Sequence, residues 1–307
     1  MDKKKVIVVG ATGSLGSKIV KELLAQGAEV TAMVRATSNR SKLTEMGVSH
    51  FVVGDMMEKE SLRNALTQEH RFDAIVASAA GYTGHTKGDS DKTDRIGYQN
   101  LVDASKEAGI RRFVLVSILE CDKAVNVPHF YNKYLIERYL IEKKQPFVAL
   151  RPGAFLDQTP DFILPKIMKG ILPVLFVDVK YGTIYTPDLA RYAAMAAISL
   201  PDSELNTTID VGLSTPVNSD SLAKAFESIL NRPVKSKSAI PSFVVSMVAP
   251  IVAKFNSKIH DMLEMVRWIN TGAYVSNNTE KQKRVFGDLP TVEDAVRRYA
   301  KDNNLIP

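Results

Sequence analysis

The sequence predicts an α/β fold in which a parallel sheet is covered by helices on both faces. Six short runs rich in β-branched residues alternate, up to residue 152, with segments of helical periodicity. Such alternation is typical of doubly wound parallel sheets. A chain of 307 residues, 45% of them hydrophobic, is long enough to bury a core of this size.

The strands are predicted from apolar runs and the helices from apolar residues that recur every three or four positions. In the first helix, Leu15, Ile19 and Leu23 share one face, and Gly27 is a natural helix stop. The predicted strands are 5–10, 29–35, 50–55, 72–80, 111–118 and 146–152. The predicted helices are 14–27, 40–47, 58–68, 94–109 and 128–143, and a loop rich in Gly, Thr, Asp and Lys occupies 81–93.

The alternation weakens after Arg151, which predicts a second, smaller lobe. A helix at about 187–200 and a strand at 207–212 still fit the sheet. We therefore predict a sheet domain of residues 1–155 plus 183–213. The substrate-binding lobe is predicted to comprise residues 156–182 plus 214–307.

A glycine-rich turn lies between the first predicted strand and the first predicted helix. The stretch "VVGATGSLG" places Gly10, Gly13 and Gly16 in G-x-x-G-x-x-G spacing. A helix that begins here presents free backbone N–H groups and a partial positive charge to a phosphate. The pattern is typical of a dinucleotide site. Its predicted ligand-binding residues are Gly10, Thr12, Gly13, Ser14, Leu15 and Gly16.

The end of the second predicted strand distinguishes between the two nicotinamide dinucleotides. A free ribose 2′-hydroxyl usually meets an Asp or Glu about 20 residues beyond the glycine motif. Here the strand ends "MVRATSNR", so that Arg35 takes this place and Arg40 follows. A guanidinium suits a 2′-phosphate. We therefore predict NADP(H) as the cofactor rather than NAD(H).

Composition and charge narrow the class of protein. The single cysteine, Cys121, fits a reducing compartment, and we expect a cytoplasmic protein. The formal net charge is +6, but the cations are dispersed, which favours an anionic small molecule over nucleic acid. The apolar stretch 239–255 is broken by two prolines and is too short to cross a bilayer. It favours a buried or pocket-lining helix pair over docking at a membrane surface, and no integral membrane segment is expected.

Several motifs together make the chain resemble a known family. They are "GATGSLG", "GD" at 54–55, "ASAAG" at 77–81, "DRIGYQNLVDASKEAGIRRFVLVS" at 94–117, the Lys133-x-x-x-Glu137 pair and "LRPGAF" at 150–155. Over roughly residues 5–213, the chain resembles an atypical short-chain dehydrogenase/reductase of the NmrA-like, NAD(P)-binding group. The resemblance implies a Rossmann domain.

The resemblance also implies roles for individual residues. Asp55 and Met56 would lie beside the adenine, and Ala79 and Ala80 near the nicotinamide ribose. Lys133 would hydrogen-bond that ribose.

One part of the family's catalytic pattern is missing. The family usually carries Tyr-x-x-x-Lys, in which the phenol is the general acid and the lysine lowers its pKa. Four residues before Lys133 stands His129, and Ile118 occupies the usual Ser/Thr position, with Ser117 one place early. We predict Lys133 and His129 as the catalytic candidates, and cofactor binding as the main role of Lys133.

These features favour an NADP(H)-dependent oxidoreductase that reduces a small apolar carbonyl, quinone or enone. Loop 81–93 and segment 153–182 would wall the pocket, with Phe155, Phe162, Ile163, Leu164 and Ile171. A non-catalytic NADP(H) sensor or assembly protein is the main alternative. A sugar-nucleotide epimerase or dehydratase is a third hypothesis. The histidines show no paired ligand spacing, so no metal site is predicted. Helix 292–302 predicts amphipathic packing, with an oligomer contact as the alternative.

Overall fold

The computed structural model of the chain describes residues 3–67, 71–81, 90–158, 160–174, 179–239, 247–276 and 278–307. The strands are β1 Lys5–Val9, β2 Glu29–Val34, β3 His50–Val53, β4 Ala74–Ala77, β5 Arg112–Val116, β6 Phe147–Pro152, β7 Ala154–Phe155, β8 Ile171–Val174, β9 Thr183–Ile184, β10 Thr207–Val211 and β11 Lys235–Ser238.

The α-helices alternate with the first six strands and then dominate the remainder. They are α1 Ser14–Ala25, α2 Ser41–Glu45, α3 Lys59–Thr67, α4 Tyr98–Glu107, α5 Pro128–Glu142, α6 Pro160–Ile167, α7 Thr186–Ile198, α8 Ser219–Leu230, α9 Ala249–Ala253, α10 Ser257–Ile269, α11 Thr279–Phe286 and α12 Val292–Asp302. A π-helix, Asp91–Gly97, precedes α4, and a short 3-10 helix spans Asp202–Glu204.

A seven-stranded sheet forms the centre of the fold, in the order β10-β6-β5-β4-β1-β2-β3. The pairs β1–β2, β2–β3, β1–β4, β4–β5 and β5–β6 are all parallel. The predicted doubly wound fold is confirmed. Strand order reverses between β1 and β4, and ligands of such sheets bind outside the carboxyl ends of the strands at this switch point.

The core on one face of this sheet is built from strand and helix residues that the apolar runs supply. Ile7, Ile75 and Phe113 from the strands pack with Leu101 from α4 and Ile136 from α5, and all five are completely buried. Because both faces of β1, β4 and β5 are covered, these strands read as nearly continuous apolar runs.

The described chain divides into two compact units. The first comprises Met1–Arg151 and Pro187–Ile209, and the second comprises Pro152–Thr186 and Asp210–Pro307. The second unit contains two small parallel pairs, β8 with β11 and β7 with β9. The predicted division by function, with its substrate-binding lobe, stays a prediction.

The apolar stretch 239–255 differs from expectation. Residues 240–246 lie outside the described part of the chain. The remainder forms the five-residue α9 and its flanks, where Ile251 is 63% and Phe255 88% exposed. Burial, one half of that prediction, does not hold here, since no residue of α9 is buried. The other half, a pocket-lining role, fits these residues, because Pro250, Ala253, Lys254 and Phe255 line an open groove. Among the described residues, no helix has both the length and the apolar character needed to span a bilayer.

Candidate functional site

The glycine turn between β1 and α1 is built so that only glycine fits at two positions. Gly10 has a φ of 84°, and a Cβ there would lie 2.8 Å from the backbone nitrogen of Ala79. A Cβ on Gly16 would collide with the carbonyl group of Gly10. The turn therefore brings the backbones of β1, α1 and the end of β4 into direct contact, as a phosphate-binding turn requires.

Helix α1 begins without a capping side chain. Its N-cap is Gly13, whose N–H donates to the Gly10 carbonyl oxygen at 3.0 Å. Thr12, Gly13 and Ser14 are exposed, whereas Leu15 is buried. The first N–H groups of an α-helix have no partner within the helix. This exposed helix start fits the diphosphate of a dinucleotide.

Two cationic side chains follow β2. Arg35 comes directly after the strand and is exposed, and its N–H donates to the Ser38 hydroxyl at 3.1 Å. The Arg40 guanidinium lies 5.5 Å from the centre of the Phe51 ring. The end of β2 thus offers positive charge where a dinucleotide with a free 2′-hydroxyl would need an acceptor.

The residues after β3 form a fixed turn at the same edge of the sheet. The Asp55 N–H donates to the Ser61 hydroxyl at 3.1 Å, and the Asp55 carboxylate accepts from the Met57 N–H at 2.8 Å. The Asn100 amide in α4 donates to the Met56 carbonyl at 3.0 Å. Asp55 and Met56 are therefore held in place by groups of the protein.

The end of β4 is tied to two side chains that come from different helices. The Ala79 carbonyl accepts a hydrogen bond from the Tyr98 hydroxyl at 2.7 Å and another from Lys133 Nζ at 3.2 Å. Ala80, the next residue, is exposed. Lys133 is therefore fixed beside the same residue whose backbone touches Gly10.

Lys133 forms a buried ion pair. Its Nζ lies 3.1 Å from Asp94 Oδ1, with the two side chains 5% and 2% exposed, and 4.0 Å from the centre of the Tyr98 ring. Burial acts to lower the pKa of Lys133, but the Tyr98 and Asp94 side chains outweigh it and leave this pKa raised. The ammonium group therefore stays charged at neutral pH.

The π-helix positions the carboxylate of this pair. Asp94 lies within Asp91–Gly97, and its Oδ2 accepts from the Gly81 N–H at 3.0 Å and the Ser90 hydroxyl at 3.1 Å. Single-turn π-helices are rare and often occur at functional sites. In the sequence, Asp94 stands out only as the first residue of the 94–117 motif, since no local signal joins it to Lys133, 39 positions away.

The position four residues before Lys133, where the family pattern has a tyrosine, is occupied by His129. His129 is buried in the first turn of α5 and meets the Phe130 ring edge to face at 4.7 Å. Since α5 begins at Pro128, Tyr131 and Lys133 belong to one helix and, two residues apart, face different directions. Burial raises the pKa of Tyr98, so its hydroxyl is a poor acid. This hydroxyl also donates its hydrogen bond to the Ala79 carbonyl.

A second buried network lies one turn further along α5. Glu137 Oε1 accepts from the Ser117 hydroxyl at 2.6 Å and from Arg151 Nε at 3.0 Å, and Oε2 accepts from the Arg151 guanidinium at 2.6 Å. Arg151 also donates to Asp122 at 2.7 Å.

The Cys121 thiol lies beside this network. Burial raises its pKa most, and the Glu137 charge raises it further. Ser117 thus serves the scaffold, and Ile118 beside it is half-buried.

The predicted pocket walls are only partly described. Residues 82–89 of loop 81–93, residues 159 and 175–178 of segment 153–182, and the side chain of Phe162 lie outside the described residues. Phe155, Ile163, Leu164 and Ile171 are all partly buried in the second unit. Their role in binding an acceptor stays a prediction.

The structure joins some of the predicted site residues directly and others only through the sheet. Gly10, Ala79 and Lys133 are linked by contacts, whereas Arg35 and Asp55 are aligned because each follows a parallel strand. Sequence reasoning missed Tyr98 as the partner of Lys133. The roles assigned to the cofactor-binding and catalytic residues remain predictions.

Comparisons with known proteins agree with this geometry. Residues 10–161 match the model of a family described as NAD(P)H-binding. A relative from Guillardia theta, the photosystem II assembly factor Ycf39, is 26% identical over 97% of this chain and 93% of its own length. The predicted cofactor class, a nicotinamide dinucleotide, is confirmed.

Two solved structures share the fold. The NADPH-dependent quinone oxidoreductase QOR2 from Escherichia coli, complexed with NADPH, has a TM-score of 0.74 at 16% identity, covering 96% of this chain and 99% of that one. A triphenylmethane reductase from Citrobacter sp. has a TM-score of 0.75 at 18% identity, covering 97% and 99%. At such identities, the likeness concerns the fold alone.

Proposed function

We propose that the chain, whose residues 10–161 match the NAD(P)H-binding family, is an NADP(H)-dependent reductase of a small apolar acceptor, with quinones as the preferred class. The observation that carries the proposal is the direct link between Gly10, Ala79 and Lys133 at the switch point of the sheet. When bound, the dinucleotide supplies a hydride from its nicotinamide ring.

The chain's residues would divide the binding of this cofactor. The turn before α1 and its first residues, from Thr12 to Gly16, would hold the diphosphate through backbone N–H groups; Thr12, Gly13 and Ser14 are the exposed ones. Asp55 and Met56 would flank the adenine. Ala79, Ala80 and the charged Lys133 would position the nicotinamide ribose, since a raised pKa keeps the Lys133 ammonium a hydrogen-bond donor at neutral pH.

Arg35 supports NADP(H) over NAD(H). It is exposed at the carboxyl end of β2, where its guanidinium can make charge-assisted hydrogen bonds to a 2′-phosphate. We expect Arg35→Ser to lower the affinity for NADPH on the order of tenfold and to leave that for NADH unchanged. Arg111→Ser, a change of another exposed arginine, is the matched control, and calorimetric titration measures both affinities. An unchanged preference for NADPH would contradict the assignment.

The position four residues before Lys133 holds His129 where the family pattern has a tyrosine, and this favours quinones over simple ketones. The phenol that does lie beside Lys133, that of Tyr98, has a raised pKa and donates to the Ala79 carbonyl. Hydride addition leaves negative charge on the acceptor oxygen. A ketone becomes a strongly basic alkoxide that needs a proton at once, whereas a quinone spreads the charge over its ring. The Lys133 ammonium can stabilise that charge electrostatically without giving up its proton. His129 is the remaining candidate for a proton donor.

A quinone and ketone panel tests this proposal. We expect NADPH oxidation, followed by absorbance, with quinones and far less with simple ketones. Lys133→Met should lower kcat/KM by about a hundredfold, and His129→Gln by much less. The matched control is Lys143→Met, because Lys143 caps the carboxyl end of the same helix and pairs with Asp103 at 3.3 Å on the surface. Equal activity of the Lys133→Met and Lys143→Met proteins would refute the role of Lys133.

A second function, an assembly or sensing protein that binds NADP(H) without turnover, is favoured by a different observation. Lys133 is neutralised by Asp94 and has no phenol four residues earlier to activate. A relative named as an assembly factor also aligns over almost the whole chain. Stabilisation by NADPH together with no oxidation of it across the panel would decide for this function.

A further inference from the structure

The second unit exposes a ridge of large apolar side chains at α9. Met247, Val248, Ile251, Val252 and Phe255 are 69%, 44%, 63%, 37% and 88% exposed; we call these five residues the apolar ridge. Their spacing of three and four residues places them along one side of a helix. Isolated apolar residues are normal on protein surfaces, but five within nine positions mark an interaction site.

The sequence segment that contains the ridge, residues 228–260, carries charge of a single sign. From residue 228 to 260 the sequence contains no Asp or Glu, but it contains Arg232, Lys235, Lys237, Lys254 and Lys258. These five positive charges are a large number beside the formal net charge of the whole chain, which is +6. All five are exposed. The ridge is therefore embedded in the most cationic stretch of the second unit.

Apolar and cationic groups share one surface at the turn between α9 and α10. An open groove of about 830 Å³ is lined by, among others, Phe255, Lys254, His260 and Arg267. Among the described residues that line the groove, the one carboxylate, that of Glu264, is paired with Arg267 at 2.6 Å. The Asn256 side chain fixes the turn by accepting from the Lys258 and Ile259 N–H groups.

We propose that the apolar ridge docks this protein onto an anionic lipid surface. Apolar side chains on one side of a short helix can enter the headgroup region while flanking lysines bind acidic lipids. The combination of an exposed ridge with a segment free of carboxylates favours such a surface over a second copy of the chain. Two copies would bring the cations of both segments together, and like charges repel. The inference is independent of the proposed reductase activity.

Flotation with lipid vesicles tests this surface on the full chain. We expect the protein to float with vesicles of phosphatidylglycerol and phosphatidylcholine, and much less with phosphatidylcholine alone. High salt should weaken the binding, because it screens the lysines. Protein that stays at the bottom of the gradient with both compositions would overturn the proposal.

Paired variants separate the apolar contribution from the charge. Ile251→Ser with Phe255→Ser should weaken partition on the order of tenfold or more. The control is Val125→Ser with Ile141→Ser, which changes two residues of the first unit that are 59% and 50% exposed. Equal losses in both double variants would overturn the proposal.

A second pair of double variants, in which lysines are replaced by glutamates, tests the contribution of charge. Lys254→Glu with Lys258→Glu should weaken binding to anionic vesicles by about fivefold for each lysine. The same change at Lys21 and Lys224, two exposed helical lysines, should have little effect.

Sedimentation analysis separates lipid docking from self-association. A wild-type dimer that Ile251→Ser with Phe255→Ser converts to a monomer, together with no flotation of the wild type, would assign the ridge to a second copy and refute lipid docking. Circular dichroism shows whether each variant is folded.

Discussion

Helix α5 carries two buried charged side chains one turn apart, and they end in different surroundings. Lys133 and Glu137 have the spacing at which neighbours on a helix usually pair. Each pairs instead with a residue from elsewhere: Lys133 with Asp94 of the π-helix, and Glu137 with Arg151 of β6.

The two pairs differ in what surrounds them. Glu137 accepts hydrogen bonds from Ser117 and twice from Arg151, so scaffold groups surround both of its oxygens. Lys133 lies at the carboxyl end of β4, beside the backbone that meets Gly10. The difference indicates that Glu137 fixes α5 on the sheet. In the function proposed above, Lys133 is the charge that this fixed helix presents to a ligand.

Breaking the Glu137 pair should have the largest effect on stability. Arg151→Met leaves the buried Glu137 carboxylate without its main partner and should lower the free energy of unfolding by about 3–5 kcal/mol. Urea unfolding measures the loss. Arg267→Met, which breaks a surface pair with Glu264, should cost far less. A similar loss in both variants would show that the Arg151 pair has no special structural role.

Breaking the Lys133 pair should affect the cofactor more than the fold. In the Lys133→Met variant, the Asp94 carboxylate still accepts hydrogen bonds from the Gly81 N–H and the Ser90 hydroxyl. The apoprotein should therefore stay folded. The variant should lose most of the roughly 2.7 kcal/mol by which a ligand at a hundredfold excess over its Kd stabilises a protein. Thermal unfolding with and without NADPH measures this, and Lys143→Met should keep the stabilisation. Full protection of the Lys133→Met variant would contradict the division between the two pairs.

The buried thiol beside Glu137 predicts a dependence of stability on pH. The pKa of Cys121 is raised in the folded chain from an ordinary value of 9.0, so only the unfolded chain loses this proton just above pH 9. The contribution of Cys121 is thus complete below pH 9 and falls as the pH rises further, by up to about 1.4 kcal/mol per pH unit. The unfolding free energy of the wild type should fall more steeply from pH 9 to 11 than that of Cys121→Ala. Equal slopes would contradict a buried, protonated thiol.

The smallest effect concerns the hydroxyl of Tyr98. Tyr98→Phe keeps the ring under the Lys133 ammonium but removes the hydrogen bond to the Ala79 carbonyl. We expect a loss of about 1 kcal/mol in unfolding free energy, with the stabilisation by NADPH reduced only slightly. Tyr134→Phe, on the partly exposed side of α5, is the control. A loss of cofactor binding as large as in Lys133→Met would mean that the phenol itself takes part in binding.

The contrast along α5 also shows where sequence reasoning succeeds. The glycine turn and the strands are local patterns, because Gly10 and Gly16 lie six residues apart and each strand is a short apolar run. The partners of Lys133 and Glu137 were not predictable in this way, since Asp94 and Arg151 come from other elements and their pairing depends on the finished sheet.

The second unit shows where prediction from composition fails. The apolar stretch at 239–255 has the composition of a buried segment, but its described part lines an open groove and no residue of α9 is buried. Whether such a segment is covered depends on the length of α9 and on what packs beside it. Neither can be deduced from hydropathy alone.

The π-helix that carries Asp94 has a consequence for how this chain can evolve. A π-turn accommodates one more residue than an α-turn, so Asp91–Gly97 depends on an exact residue count. A one-residue deletion there would relax the turn to an ordinary α-helix and rotate Asp94 by roughly 100° relative to α4. Descendants of this gene can therefore exchange many side chains in the segment, but they can hardly change its length without separating Asp94 from Lys133.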